Sequence, residues 1–373
     1  MAYAELFCQS HFSFLEGVSS PAELISQAAA LGYEALAITD ECSVAGVVRA
    51  YRQCQEQQLS IKLIIGSYFQ LDKLSVVLLC PDKAAYSELC RIITNARRRC
   101  SKGQYQLTEW DLMSVKHCLL LWLPSGDSDS DNHWANWLQK YHSERLWLAL
   151  RRELTHNEAE FQRYCVSLGQ QFQLPLVACG AVLMHQPQRL ALQHCVSAVK
   201  AGIPIAEMGR RLLSNAERTL RPLAKLARLF DKALLAQSCV IARRCRFSLD
   251  ELKYQYPSEL VPQGETASSY LAALVKQGAK LRFPDGISAR VQGLIDKEMA
   301  LITSLGYEYF FLTIYDLVCF AKARGILYQG RGSAAKSVGC YCLQSTAVDP
   351  EKVQVLFERF CGEFSRLLLL RHY

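Results

Sequence analysis

Ser20-Pro21-Ala22-Glu23-Leu24-Ile25-Ser26-Gln27-Ala28-Ala29-Ala30-Leu31-Gly32-Tyr33-Glu34-Ala35-Leu36-Ala37-Ile38-Thr39-Asp40 reads as one helix followed by one strand, and the repetition of that pair decides the fold class. Ser20 stands at the N-cap, Pro21 takes the first helical position and Glu23 completes a capping box. Gly32 ends the helix after Leu24, Ala28 and Leu31 have supplied one apolar stripe. Residues 35–39 then make an apolar strand that stops at Asp40.

Working outward, the same rhythm runs from residue 4 to about residue 200. Further strands are expected at 61–69, 74–80, 118–123, 146–150 and 174–179, with helices at 44–57, 83–99, 156–170 and 188–201. Alternation of this kind builds parallel strands wrapped by helices, so an α/β barrel is expected, with its chemistry at the carboxyl ends of the strands. A loop-like cluster falls at 124–132. Beyond residue 200 helical periodicity takes over through 215–245, followed by a connection containing proline and glycine at 256–264. The expected division is therefore a barrel over residues 1–200, a helical connection over 201–264 and a last domain over 265–373. That last block should hold helices at 289–305 and 311–324 and a short strand at 326–328, leading into the loop Gly330-Arg331-Gly332-Ser333.

Composition limits the class. Of 373 residues half are apolar and 21% are charged, enough to bury an ordinary core. The excess of 42 Lys and Arg over 35 Asp and Glu, a net charge of +7, suits a phosphate-bearing partner but is modest for a dedicated nucleic-acid binder. Sixteen cysteines are scattered without a CxxC pair, which fits a reduced, cytoplasmic protein. Residues 1–9 have no basic stretch and no apolar run approaches the roughly 18 residues of a membrane span, so neither secretion nor a membrane association is expected.

The glycine loop is the most informative stretch. Two glycines allow a tight turn and a close backbone approach, while the following helix start and the Arg331 guanidinium offer donors to an anion. As a Walker A motif, residues 330–337 have Lys336 and Ser337 in place but Ala335 where a second glycine belongs, and only 37 residues follow Lys336, too few for a nucleotide-hydrolase sheet. The bland alternative is a helix start whose glycines serve only the turn.

The flanks decide between these. Phe310-Phe311-Leu312-Thr313, Tyr328-Gln329-Gly330-Arg331-Gly332-Ser333-Ala334-Ala335, Cys340-Tyr341-Cys342-Leu343, Val348-Asp349-Pro350 and Leu356-Phe357-Glu358-Arg359-Phe360 together resemble the palm entrance of bacterial C-family DNA polymerases, the DNA polymerase III alpha subunit family. His11-Phe12-Ser13-Phe14-Leu15-Glu16-Gly17, Leu36-Ala37-Ile38-Thr39-Asp40 and Ile64-Ile65-Gly66-Ser67 resemble that family's polymerase and histidinol phosphatase (PHP) domain. Phe247-Ser248-Leu249-Asp250-Glu251-Leu252 with Tyr256-Pro257 is similar to the error-prone, translesion branch.

The resemblance implies a PHP-like distorted (β/α) barrel, a helical connection and an incomplete polymerase palm. It gives Gly330, Arg331, Gly332 and Ser333 the incoming nucleotide's triphosphate, with Lys336 a departure from the small or amide residue usual there. It implies DNA and deoxynucleoside triphosphates as partners, Mg2+ in the parent family, and a sliding clamp and mutagenesis accessory proteins around the full-length parent. Two-metal nucleotidyl transfer needs clustered carboxylates, which the family carries on an acidic strand shortly after the Phe360 position. Here residues 361–373 are instead a basic, leucine-rich tail, expected to reflect a frameshift or premature stop, so no primer extension is expected.

The PHP metal positions are also altered. The His-x-His pair is Phe7 and Gln9, the histidine after Asp40 is Glu41, the third-strand glutamate is Tyr68, and the late Asp-x-His is Ala181 and Leu183. Asp40, Glu41 and nearby His185 remain, and no tightly bound metal is expected. For Asp40 and Glu41 a helix-capping, solvated pair is the favoured reading, and for His185 a satisfied or exposed loop histidine. Asp127, Asp129 and Asp131 alternate like the start of an EF-hand, but Asn132 and Leu138 break that pattern and a solvated loop is expected. Arg97, Arg98, Arg99 and Lys102 could touch DNA phosphates or simply end a helix, and Arg243, Arg244 and Arg246 share that ambiguity. A rival reading is a non-catalytic module whose degenerate barrel docks on DNA or polymerase partners; a third, an independent metal phosphoesterase, would carry tightly bound zinc or manganese.

Overall fold

A computed structural model describes residues 2–252, 260–331 and 337–350. The chain forms two compact units, Met1–Leu252 and Lys253–Tyr373.

In the first unit seven strands lie side by side in chain order: β1 (Ala4–Cys8), β2 (Ala35–Ile38), β3 (Lys62–Leu71), β4 (Leu74–Leu79), β5 (Leu119–Leu123), β6 (Leu146–Arg151) and β7 (Leu176–Cys179). Helices α1 (Pro21–Ala30), α2 (Val47–Glu56), α3 (Lys83–Arg98), α4 (Glu109–Met113), α5 (Ser128–His142) and α6 (Glu158–Gln171) fall between them. The sheet nearly closes into a barrel: Gln9 N–H donates to Val182 O and Val182 N–H to Phe7 O, each at 2.9 Å. The cause of α1 is local, as read. Ser20 accepts from Glu23 N–H, Glu23 reaches back to Ser20 N–H at 2.8 Å, and Pro21 opens the helix.

Strand side chains alternate as a barrel requires. Ala35, Ala37, Leu119, Leu121 and Leu123 join the interior cluster, while Leu36, Ile38, Leu120 and Trp122 face the helices. After β7 come α7 (Leu190–Ala201), α8 (Ile205–Met208), α9 (Leu223–Leu229) and α10 (Lys232–Arg244). Residues 201–252, read from the sequence as part of a connection, belong to this unit: α10 packs on β1 and β7, and Ile241, Ala242 and Cys245 complete the interior cluster.

Two expectations change. Strand β4 runs antiparallel to β3 and β5, because only Asp72 and Lys73 separate Leu71 from Leu74, and two residues suffice for a hairpin but not for a parallel crossover. The 124–132 cluster is a loop only as far as Asp127, whose side chain caps α5 by accepting from Ser130 N–H at 3.0 Å. Asp131, expected in a solvated loop, is buried and accepts from Ser125 N–H, Gly126 N–H and the Tyr164 hydroxyl at 2.8 to 2.9 Å.

The second unit is helical: α11 (Ala267–Arg282), α12 (Ala289–Leu305), α13 (Glu308–Ala323) and α14 (Val338–Cys342). Leu271, Val275, Ile295, Ile302, Phe311 and Val338 centre its core. Residues 326–328 form no strand; Leu327 is 99% exposed and no neighbouring chain among the described residues offers the pairing a strand needs. The 256–264 connection lies partly, and Leu356–Phe360 and the 361–373 tail wholly, outside the described residues.

Candidate functional site

Of the glycine loop, Gly330 and Arg331 are described, whereas Gly332, Ser333 and Lys336 lie outside the described residues. Gly330 packs against the chain after α14: its N–H donates to Ser345 O at 2.8 Å, and a Cβ there would stand 2.7 Å from the same oxygen. No larger residue fits that approach. Arg331 is exposed.

The far side of the loop is fixed by a residue the sequence reading passed over. Glu298 on α12 is buried and accepts from the Ser337 hydroxyl (2.8 Å), Val338 N–H (3.0 Å) and Gly339 N–H (2.9 Å). Burial raises its pKa and the two backbone amides and Ser337 hydroxyl offset only part of that rise. Ser337 Oγ in turn accepts from Cys340 N–H at 3.0 Å, capping α14. Arg282 donates to Tyr341 O and Thr346 O, both at 3.1 Å, tying the segment after α14 to α11. A signal for Glu298 existed, since it interrupts the apolar face made by Ile295 and Ile302.

In the barrel unit a cleft of about 330 Å³ opens where a PHP metal centre would stand. Phe7, Gln9, Glu16, Glu41, Tyr68, Arg151, Lys200 and Arg218 are among its walls. Phe7 stacks on Tyr68 with ring centres 4.9 Å apart, so two expected metal positions form an apolar plug. Ala181 and Leu183 are buried and lack ligand atoms. Asp40 departs from the solvated, helix-capping reading: it is fully buried and accepts from Ser10 N–H and hydroxyl at 2.7 and 2.8 Å and from Ser13 N–H and hydroxyl at 3.1 and 2.8 Å. Burial raises its pKa against those four donors. Glu41 accepts from the Tyr105 hydroxyl at 2.9 Å, and His185 shares a 2.8 Å hydrogen bond with Ser19. Phenyl, amide, phenol and methyl groups beside two guanidiniums do not fit divalent cations, and no set of three or more His, Cys, Asp or Glu side chains among the described residues is arranged to hold one.

Comparison with known proteins agrees with this two-part arrangement. The PHP domain pattern matches residues 5–167, and the bacterial DNA polymerase III alpha NTPase domain pattern matches residues 269–366. The error-prone DNA polymerase of Vibrio vulnificus (strain CMCP6) is 58% identical over 364 residues, which is 97% of this chain and 35% of that protein. The error-prone DNA polymerase of Pseudomonas paraeruginosa is 48% identical over 361 residues, 96% of this chain and 35% of that one. Over nearly its whole length the chain is similar to the error-prone branch of the bacterial DNA polymerase III alpha family. It spans about a third of the length of the curated relatives it matches. Among solved structures, an amidohydrolase from Chromobacterium violaceum aligns over 48% of this chain and 86% of its own, at 12% identity and a TM-score of 0.33, too distant to carry a functional argument.

The basic run that closes α3 divides into two kinds of residue. Arg97 donates to Cys42 O (3.1 Å) and Glu41 O (3.2 Å), and Arg99 grips Asp111 through both terminal nitrogens at 2.5 and 2.9 Å. Arg98 and Lys102 are exposed. Arg243 is paired with Glu34 at 2.9 and 3.1 Å, and Arg244 lies over the Trp147 ring, 5.1 Å from its centre. Among the described residues no helix is long and apolar enough to cross a membrane.

Proposed function

We propose that this chain is the N-terminal part of an error-prone DNA polymerase that adds deoxynucleotides to a primer across damaged template, and that the 373-residue polypeptide does not do so by itself. The observation that carries the reading is 58% identity over 97% of the chain to a protein named error-prone DNA polymerase. In it, Gly330, Arg331, Gly332 and Ser333 grip the triphosphate of the incoming nucleotide, and Glu298 holds the Ser337 end of their loop in place. The family's acidic strand would hold two Mg2+ ions that stabilise the attacking and leaving oxygens; residues 361–373 contain Glu363 alone as a carboxylate side chain and do not fit that role. The barrel serves as a scaffold, since its cleft lacks the ligand set of a phosphoesterase.

A primer-extension assay tests this directly. With a labelled primer on template DNA, four deoxynucleoside triphosphates and Mg2+, the purified polypeptide should leave the primer unextended while still binding a fluorescent triphosphate analogue. Extension that survives removal of host polymerases would overturn the inactivity. Triphosphate binding unaffected by Arg331→Ala would overturn the loop assignment.

A further inference from the structure

The cleft in the barrel is polar and carries more positive than negative side chains: Arg151, Lys200 and Arg218 against Glu16 and Glu41. Both carboxylates already have partners. Glu16 is paired with Lys200, and Glu41 accepts from the Tyr105 hydroxyl. The two arginines are less well matched. Arg218 uses Nε to donate to Ala181 O at 2.8 Å, but no carboxylate among the described residues lies within 4 Å of it, and its terminal amino groups make no hydrogen bond to the described residues. Arg151 meets Glu153 at 3.3 Å and Pro124 O at 3.4 Å through its terminal nitrogens, while its buried Nε has no hydrogen-bond partner among the described residues. Both guanidiniums are half-buried, planar and always charged, and the donors they leave unused at the cleft are available to an anion.

Burial pushes the Arg218 pKa below its ordinary value, the charge of Glu153 opposes that shift, and the neighbouring charge of Arg151 adds to it. Two like charges converging on one cavity are relieved by an anion between them. The geometry suits a tetrahedral oxyanion, which accepts hydrogen bonds from several directions and matches the guanidinium fork. The cavity of about 330 Å³ is several times the roughly 30 Å³ one water occupies in the liquid, so the ion and part of its hydration shell both have room.

We infer that this cleft is a phosphate-binding site, in which Arg218 and Arg151 hold a phosphate or terminal phosphomonoester and Lys200 flanks the mouth. No hydrolysis is involved, since among the described residues the cleft holds no metal-ligand set and no nucleophile beside a base. The site is separate from the glycine loop: the two lie in different compact units and share no residue.

Titration of the purified 373-residue polypeptide with inorganic phosphate, followed by 31P line broadening and by calorimetry at constant ionic strength, tests the site. Saturable binding in the millimolar range or tighter is expected, with sulfate competing and chloride not. Arg218→Gln should weaken it about tenfold, the loss of a charge-assisted contact. Gln9→Glu, which keeps size and adds a negative charge to the wall, should weaken it as well, so a fold defect in one variant does not decide the outcome. A second arm compares 5′-phosphorylated and unphosphorylated oligonucleotides of one sequence. Displacement of phosphate by the phosphorylated strand alone identifies a nucleic-acid end as the ligand, and displacement by neither identifies free phosphate. Absence of saturable phosphate binding, or equal affinity in wild type and both variants, overturns the inference, as does displacement by both strands equally.

Discussion

The Ser337 hydroxyl donates to Glu298 Oε2 at 2.8 Å across 39 residues of chain, and through this bond α12 supports the loop that carries Gly330 and Arg331. The same carboxylate holds Val338 N–H and Gly339 N–H. Glu298→Gln presents an amide NH2 to at least one of these donors, at a cost of about 2 kcal/mol. Hydrogen exchange of the peptide covering residues 337–343 should speed up in this variant while barrel peptides keep their rates. Unchanged protection at 338 and 339 would show that the carboxylate does not hold the loop.

Gly180 follows β7 and lies against Glu5 of β1, its N–H donating to both carboxylate oxygens at 3.1 Å. Glu5 is buried and also accepts from the Tyr3 hydroxyl (2.9 Å) and Phe7 N–H (3.0 Å). A methyl on residue 180 would land on Glu5 Oε2, so Gly180→Ala must push a buried carboxylate away from its donors. The expected loss is about 3 kcal/mol, read as a lower urea midpoint with an unchanged slope. A midpoint equal to wild type would mean that the barrel yields at this joint.

His142 closes α5 with 2% of its surface exposed, and burial, reinforced by the charge of Arg145, lowers its pKa from 6.5 to about 4. The unfolded chain takes up this proton near pH 6.5, the folded chain only near pH 4. Stability from the neutral ring is therefore complete above pH 6.5 and falls as the pH drops toward 4, by up to about 3 kcal/mol. His142→Phe cannot charge, so its stability should fall less over that interval. Urea unfolding at a series of pH values checks this; parallel curves for the two proteins would refute it.

How much of this was legible depends on how local each cause is. Helix α1 was readable because its cap, its proline and its terminating glycine lie within thirteen consecutive residues. The direction of β4 was readable too, since Asp72-Lys73 cannot span a crossover, but the apolar run alone does not reveal direction. Asp40 was read as solvated because nothing beside it in the chain covers it; Ser10 and Ser13 reach it only once β1 lies beside β2. Arg151, Lys200 and Arg218 carry no shared motif, and closure of the barrel is what brings them to one cleft. The glycine loop was found through its flanking blocks, because two glycines and an arginine alone fit a plain turn equally well.

DNA contact by the basic run at the end of α3 should rest on two of its four basic residues. Arg97 and Arg99 are held by Cys42 O, Glu41 O and Asp111, and Asp111 is itself only 3% exposed. Removing Arg99 strands a buried carboxylate, so Arg99→Met should lower the unfolding midpoint sharply. Arg98 and Lys102 project into solvent, and replacing both should leave stability within about 0.5 kcal/mol. If they meet phosphates, the double variant Arg98→Gln, Lys102→Gln binds single-stranded DNA more weakly, and the slope of log affinity against log salt falls by roughly one to two. Fluorescence anisotropy at four salt concentrations separates the cases: an unchanged slope assigns these residues to a solvated helix end favoured by its dipole.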